Sequence, residues 1–309
     1  MLRHRLVSGF TLGLAGIGLV VLGYFLEEWD FYYHWLNWRP MGPRGMLFGL
    51  ICAAFGIVSI KEFYRLARAA GFHPFRLIGA VISTYLILET CGQSIPWGGQ
   101  LWPRLERIDF TLFVIAAGLS AAFMLQVARW GTQGAVGNIG VTLLGAIYVG
   151  LLGSFIVRIR QMAWVPNDSY DAGRGAWCVM VFLGTIKATD ISAYFAGNYL
   201  GRRKLIPSIS PGKTVEGLIG GLAGGVITCV VLCLIGNVLH SWLLAALLGL
   251  VLGGLGQLGD LAESIFKRDA HEKDSDHSVP GFGGILDVVD SLLVPAPLAY
   301  MLLAVLTSQ

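Results

Sequence analysis

Charge is what this sequence has least of. Asp, Glu, Lys and Arg make up 13% of its 309 residues, where soluble domains carry about a quarter. Together with 55% hydrophobic residues and a mean hydropathy of +0.68, that shortage excludes an ordinary soluble domain. Short segments of alternating apolar and polar residues are lacking, which excludes a transmembrane β-barrel. The five cysteines (Cys52, Cys91, Cys178, Cys229 and Cys233) include no CxxC pair, and no Cys/His cluster is spaced for zinc. Cys229 and Cys233 stand one helical turn apart in an apolar run and read as small packing residues. Internal repeats, low-complexity tracts and flexible linkers are also missing. A net charge of +3 is too small to suggest nucleic acid as a partner.

What is present is a series of uninterrupted apolar runs of about 20 residues, the length a helix needs to cross a bilayer. The expected fold is all-α, a polytopic integral membrane protein with about nine transmembrane helices. The spans are expected near 6–26, 44–60, 76–92, 108–128, 136–157, 176–196, 215–237, 241–259 and 288–307. The forty-two glycines suit close helix packing in lipid. The first run has a basic start (Arg3, His4, Arg5) but no small-residue cleavage site follows, so it reads as a retained anchor. By content the chain divides into two regions. Residues 1–135 hold the N-terminal spans and an amphipathic segment, and residues 136–309 bring acids and bases into the helix ends.

Positive charge sets the orientation. With a cytoplasmic N-terminus, fourteen Lys and Arg residues fall in inside segments and seven outside. This places a multi-pass protein in the cell membrane with the charge-rich loops near 197–214 and 260–287 facing the cytoplasm. The aromatic loop 27–43 reads as an interfacial belt. Residues 61–76, KEFYRLARAAGFHPFR, are basic and amphipathic and read as a helix extending from the second span along the membrane surface.

The chemistry concentrates in the charged segments of the second region. Asp190 lies in or at the end of the sixth span, where a carboxylate is costly unless paired or wet. In residues 201–221, GRRKLIPSISPGKTVEGLIGG, the Gly212-Lys213-Thr214 triplet is not a P-loop, because Pro207 stands where a glycine is needed. Ser210 and Pro211 instead suit the start of the seventh span, with Lys213 in its first turn and free amides offering an anion site. Asp260, Ser264, Lys267 and Arg268 are spaced to share one helix face, with Glu263 beside it. A carboxylate there suits a divalent cation while the bases suit phosphate oxygens. Beyond a polar loop holding Lys273, Asp274 and His277 comes PGFGGILDVVDS. Its Gly281, Gly283 and Gly284 allow close backbone approach before a helix start, and Asp287 and Asp290 sit on the opening turns. Asp260, Asp287, Asp290 and Asp190 are therefore the candidate ligands of a hard cation, with magnesium the natural choice beside phosphates.

The stretch SIFKRDAHEKDSDHSVPGFGGILDVVDS, residues 264–291, resembles the signature of phosphatidate cytidylyltransferases, the CDP-diacylglycerol synthases. That pattern runs in outline S-x-x-K-R-x4-K-D-S, a short gap, P-G-H-G-G, then D-R-x-D-S. DISAYFAGNYLGRRKL, SPGKTVEGLIGG and KEFYRLARAAGFHP are similar to further blocks of the family, so most of the chain from about residue 45 is covered. Phe282 stands where histidine is common and Val288 where arginine is common. The resemblance implies transfer of CMP from CTP to phosphatidic acid, giving CDP-diacylglycerol and pyrophosphate. It implies Asp260, Asp287, Lys267, Arg268 and Lys213 as the catalytic set. Ser210, Lys273, Asp274, His277, Gly283 and Gly284 join Lys213, Lys267 and Arg268 in substrate binding. It further suggests a second, monovalent cation, with potassium the candidate, and a homodimer among membrane lipids. Two rival readings are a CTP-dependent polyprenol kinase and a transporter. The transporter would show inverted hydropathy repeats, and none is evident.

Overall fold

A computed structural model describes residues 46–92, 110–162, 164–165, 169–170, 172–272, 275–276 and 283–307, together with Gly18. The expected first span (Gly18 apart) and the aromatic loop 27–43 lie outside the described residues. The chain is a multi-pass helical protein. In hydrocarbon every backbone N–H and C=O must be satisfied within its own segment, which leaves long apolar runs the helix as their stable form.

The helices are α1 (Met46–Ala69), α2 (Arg76–Gly92), α3 (Phe110–Arg129), α4 (Ala135–Gly145), α5 (Leu152–Arg160), α6 (Ala172–Leu200), α7 (Val215–Ile235), α8 (Trp242–Asp269), α9 (Leu286–Leu293) and α10 (Ala296–Thr307). A π-helical turn, Ala146–Leu151, joins α4 to α5. Two antiparallel ribbons interrupt the helical order: β1 (Trp164–Val165) with β2 (Ser169–Tyr170), and β3 (Lys204–Ile206) with β4 (Ser210–Thr214). The fold is thus nearly but not wholly α.

Among the described residues six helices are long and apolar enough to cross a membrane, counting α4, the π turn and α5 as one, or seven if the bent pair α9–α10 is one span. The expected count of about nine is not reached among the described residues. The first expected span lies outside them, and α2 is only 17 residues long. The expected last span is broken into α9 and α10, which meet at 44°. Pro295 stands at the break, where its ring and missing N–H prevent the helix from continuing.

Of the surface helix expected at 61–76, residues 61–69 do continue the second expected span as the last turns of α1, but they run inside the protein, and 70–75 form the turn into α2. Glu62, Phe63, Tyr64 and Leu66 are buried. The Phe63 ring meets those of Phe266 (5.2 Å) and Tyr148 (6.0 Å), so α1, the π turn and α8 share one aromatic cluster. The basic residues lie on the outer side of this helix, where Arg65 reaches Asp276 at 2.6 Å.

Small residues set the spacing of the C-terminal helices. A Cβ on Gly221 would lie 2.7 Å from Ala193 Cβ, and one on Gly225 would lie 2.1 Å from Thr189 Oγ1, so α6 and α7 touch backbone to backbone. At Gly259 a Cβ would come within 2.5 Å of the Asp290 carbonyl. That approach brings Asp260, the next residue on α8, against the opening turns of α9. Because α6 and α7 are joined by a hairpin and α7 and α8 by a short turn, the C-terminal ends of α6 and α8 and the N-terminal ends of α7 and α9 gather at one end of the bundle.

Candidate functional site

That shared end holds the charged residues. The hairpin β3–β4 pairs Lys204 with Thr214 and Ile206 with Ser210. Ser210 and Pro211 are therefore strand residues, and the start of α7 falls at Thr214, whose hydroxyl accepts from Gly217 N at 3.1 Å. The expected free amides are taken as well: Val215 N donates to Arg203 O at 2.9 Å. Lys213 is not in a first helical turn but at the end of a strand that aims its side chain across at α8. Its Nζ lies 3.1 Å from Asp260 Oδ2 and 3.4 Å from Gln257 O. One helical turn to either side of Ser264, α8 thus meets the hairpin twice, since Arg268 Nε also donates to Ile209 O at 3.1 Å.

Lys267, on the same face two turns beyond Asp260, reaches α9. Its Nζ stands 3.0 Å from Asp287 Oδ1 and 2.6 Å from Glu263 Oε2. Asp287 also accepts from Ser275 N (3.1 Å) and Gly284 N (2.7 Å). Gly283 has φ +98°, a left-handed conformation that favours glycine. Gly284 allows the close approach expected of it, because a Cβ there would lie 2.0 Å from Ser275 Oγ and 2.3 Å from Glu62 Oε2.

Glu62 was not among the residues singled out by sequence. Its carboxylate, carried from α1 and 3% exposed, accepts from Ser275 Oγ (3.1 Å), Ile285 N (3.1 Å) and Leu286 N (2.8 Å). The amides at the start of α9 are thus held by Glu62 and Asp287, not left open for an outside anion. A glutamine at position 62 keeps one acceptor but turns an NH2 group toward one of these donors. Leaving such a buried group unsatisfied costs about 1–3 kcal/mol. Glu62→Gln is therefore expected to lower the thermal unfolding midpoint of the purified protein clearly, and an unchanged midpoint would contradict the clamp.

Asp190 lies within α6, not at its end, since the helix continues ten residues beyond it to Leu200. Gln257 Nε2 donates to Asp190 Oδ1 at 3.0 Å, and Lys187 Nζ lies 3.5 Å from Asp190 Oδ2. Asp290, on α9, is buried and takes Ser291 N at 2.6 Å. Asp260 is close enough to both Asp190 and Asp290 for their charges to interact. The structure thus gathers Asp190, Lys213, Asp260, Lys267, Arg268, Gly284, Asp287 and Asp290 at one end of the bundle. Lys273, Asp274 and His277 lie outside the described residues.

Whether this place suits a cation can be judged from its donors. Among the described residues no three His, Cys, Asp or Glu side chains form a ready ligand set. Yet Glu263 is 1% exposed, and neither of its oxygens has a partner in hydrogen-bond geometry. Lys267 Nζ, at 2.6 Å, is its ion-pair partner. Tyr148 OH, also buried without a partner, is in charge range of Asp290, Glu263 and Asp260. Hard oxygens outnumber the bases that offset them. Magnesium needs only one or two carboxylates, with phosphate and water completing its shell, so the donors fit.

The sequence profile of the cytidylyltransferase family matches residues 40–306. The phosphatidate cytidylyltransferase of Chlamydia pneumoniae is 33% identical over 266 residues, 84% of this chain and 83% of that protein. That of Pseudomonas aeruginosa is 32% identical over 304 residues, 98% of this chain and 97% of that protein. That of Bacillus subtilis is 31% identical over 257 residues, 83% and 88% of the two chains.

Proposed function

The chain belongs to the cytidylyltransferase family, and from that premise we propose that it is a phosphatidate cytidylyltransferase. It transfers CMP from CTP to phosphatidic acid and releases pyrophosphate. A phosphate oxygen of the lipid attacks the α-phosphorus of CTP. The new P–O bond forms as the bond from the α-phosphorus to the bridging oxygen of the β-phosphate breaks. Such a transfer needs alignment and charge neutralisation more than a covalent partner.

One observation carries this reading: acids and bases are paired at two places two turns apart on α8, Lys213 with Asp260 and Lys267 with Asp287. Each pair sets a group suited to a cation beside a group suited to a phosphate. A nucleotide accompanied by its cation brings the opposite partner for both, so the pair separates without leaving either charge bare. Lys213, Lys267 and Arg268 then hold phosphate oxygens, and Ser210, Lys273, Asp274, His277, Gly283 and Gly284 support the substrates. Asp260 and Asp287 would hold magnesium, with Asp290 and Asp190 as further ligands and Glu263 close behind. Bound there, the ion supplies neutralisation of the triphosphate and of the developing pyrophosphate charge. A monovalent cation, potassium by family resemblance, belongs to the same proposal.

The site is read as opening to the cytoplasm, on the argument that the Lys and Arg excess lies on that side. Counting residues 6–26 and α2 as crossings and α9–α10 as one gives the proposed total of about nine spans. A homodimer is proposed by analogy with the family. The purified protein in detergent, given phosphatidic acid and CTP, is expected to form CDP-diacylglycerol and pyrophosphate with magnesium and none without it. No CDP-lipid from a well-folded protein would overturn the assignment.

A further inference from the structure

Lys187 is used by nothing described so far. Of the 22 lysines and arginines, twenty-one fall outside the expected spans or at their ends. Lys187 alone lies well inside one, between Ile186 and Ala188 on α6. A lysine in a membrane helix is costly, and where it occurs it is paired and tends to mark function. Its ammonium has three hydrogens to donate, and three acceptors face it. They are Ser291 Oγ at 2.8 Å, Val288 O at 3.0 Å and Asp190 Oδ2 at 3.5 Å. The first two lie one turn apart on α9 and bracket Asp290. The third is the carboxylate that Gln257 ties to α8. One cation therefore joins α6 to the opening turns of α9 and faces the acids of the site. The contact to position 288 matters because the signature that this chain resembles has an arginine there, and Val288 carries no charge.

We propose that Lys187 is a positioning residue of nucleotidyl transfer, which fixes α9 and Asp190 and supplies from α6 the positive charge that the signature places at position 288. This rests on the transferase reading above. Charge delivered from a different helix does the same work, so the two positions exchange: an arginine at 288 makes Lys187 dispensable.

The test compares Lys187→Met, Lys187→Arg, Val288→Arg and the double variant Lys187→Met/Val288→Arg. Each is assayed for CDP-diacylglycerol formation in detergent, with kcat and both KM values measured and folding checked by thermal unfolding. Lys187→Met is expected to lose about a hundredfold in kcat, the scale of a small misplacement of reacting groups, with the KM values little changed. Lys187→Arg retains more activity than Lys187→Met, and the double variant regains at least about tenfold over Lys187→Met, or roughly 1.4 kcal/mol of barrier. Wild-type kcat in Lys187→Met overturns the proposal. So does a double variant no better than Lys187→Met while Val288→Arg alone is active. If arginine at 288 is itself inactivating, an equal loss in Lys187→Arg and Lys187→Met overturns it. A wild-type protein that makes no CDP-diacylglycerol overturns the transferase reading itself, before any variant is compared.

Discussion

Replacing Asp287 by asparagine is expected to reduce CDP-diacylglycerol formation by about a thousandfold or more, the upper range for removing one charge-stabilising group from a preorganised site. Asp287 is where three things meet: the Lys267 ammonium at 3.0 Å, the Ser275 amide at 3.1 Å and the Gly284 amide at 2.7 Å. Asparagine has the same shape, and with its oxygen at the Oδ2 position it keeps both amides, but it has no negative charge for Lys267 or for a cation, and its NH2 group opposes the Lys267 ammonium. Lys267 would then be drawn wholly to Glu263 and away from phosphate. The fold should survive, because Glu62 still holds the Ile285 and Leu286 amides. An unfolding midpoint within a few degrees of wild type, alongside the lost activity, separates this chemical role from a structural one. Activity within tenfold of wild type would show that Asp287 is no more than part of the loop's scaffold.

A second large effect is expected at the partner pair. Asp260→Asn and Lys213→Met should each lower kcat/KM for CTP by about a hundredfold or more. The informative result is the double variant. Asp260 and Lys213 are 3.1 Å apart and neutralise one another across α8 and the hairpin. In the proposed reaction both engage the same triphosphate. Groups that act as a unit are far from additive, so the double variant is expected to be little worse than the poorer single one. Full multiplication of the two losses would mean that they serve different steps. A large fall in stability on removing only one of them would mean that the pair is structural, since an unpaired charge is what costs most in such places.

How much of this was legible depends on whether a residue's role is set by local sequence or by distant contact. The apolar runs of α3, α6, α7 and α8 are long, and length alone marked them as spans. The C-terminal acids and bases were legible for a similar reason: their spacing on α8 and α9 is fixed by helix geometry. The start of α7 was misread because Ser and Pro before an apolar run are good helix openers. Here they pair in a ribbon, and Thr214 takes the cap. Nothing local marks Glu62. On a basic amphipathic stretch a glutamate reads as solvated, and only the packing of α1 against Ser275, Gly284, Ile285 and Leu286 buries it. Lys187 does carry a signal, as the single base well inside an expected span, but sequence alone does not show that its partners lie on α9. The broken last span was also marked in sequence by Pro295 and Pro297.

The most direct test of the central claim follows the label of CTP. The purified protein is incubated with phosphatidic acid, magnesium and CTP carrying label on either the α- or the γ-phosphate. Nucleotidyl transfer predicts that α-label enters the lipid as CDP-diacylglycerol while γ-label leaves as pyrophosphate. Label from the γ-position in lipid, with CDP as the soluble product, would contradict it and make the protein a lipid kinase.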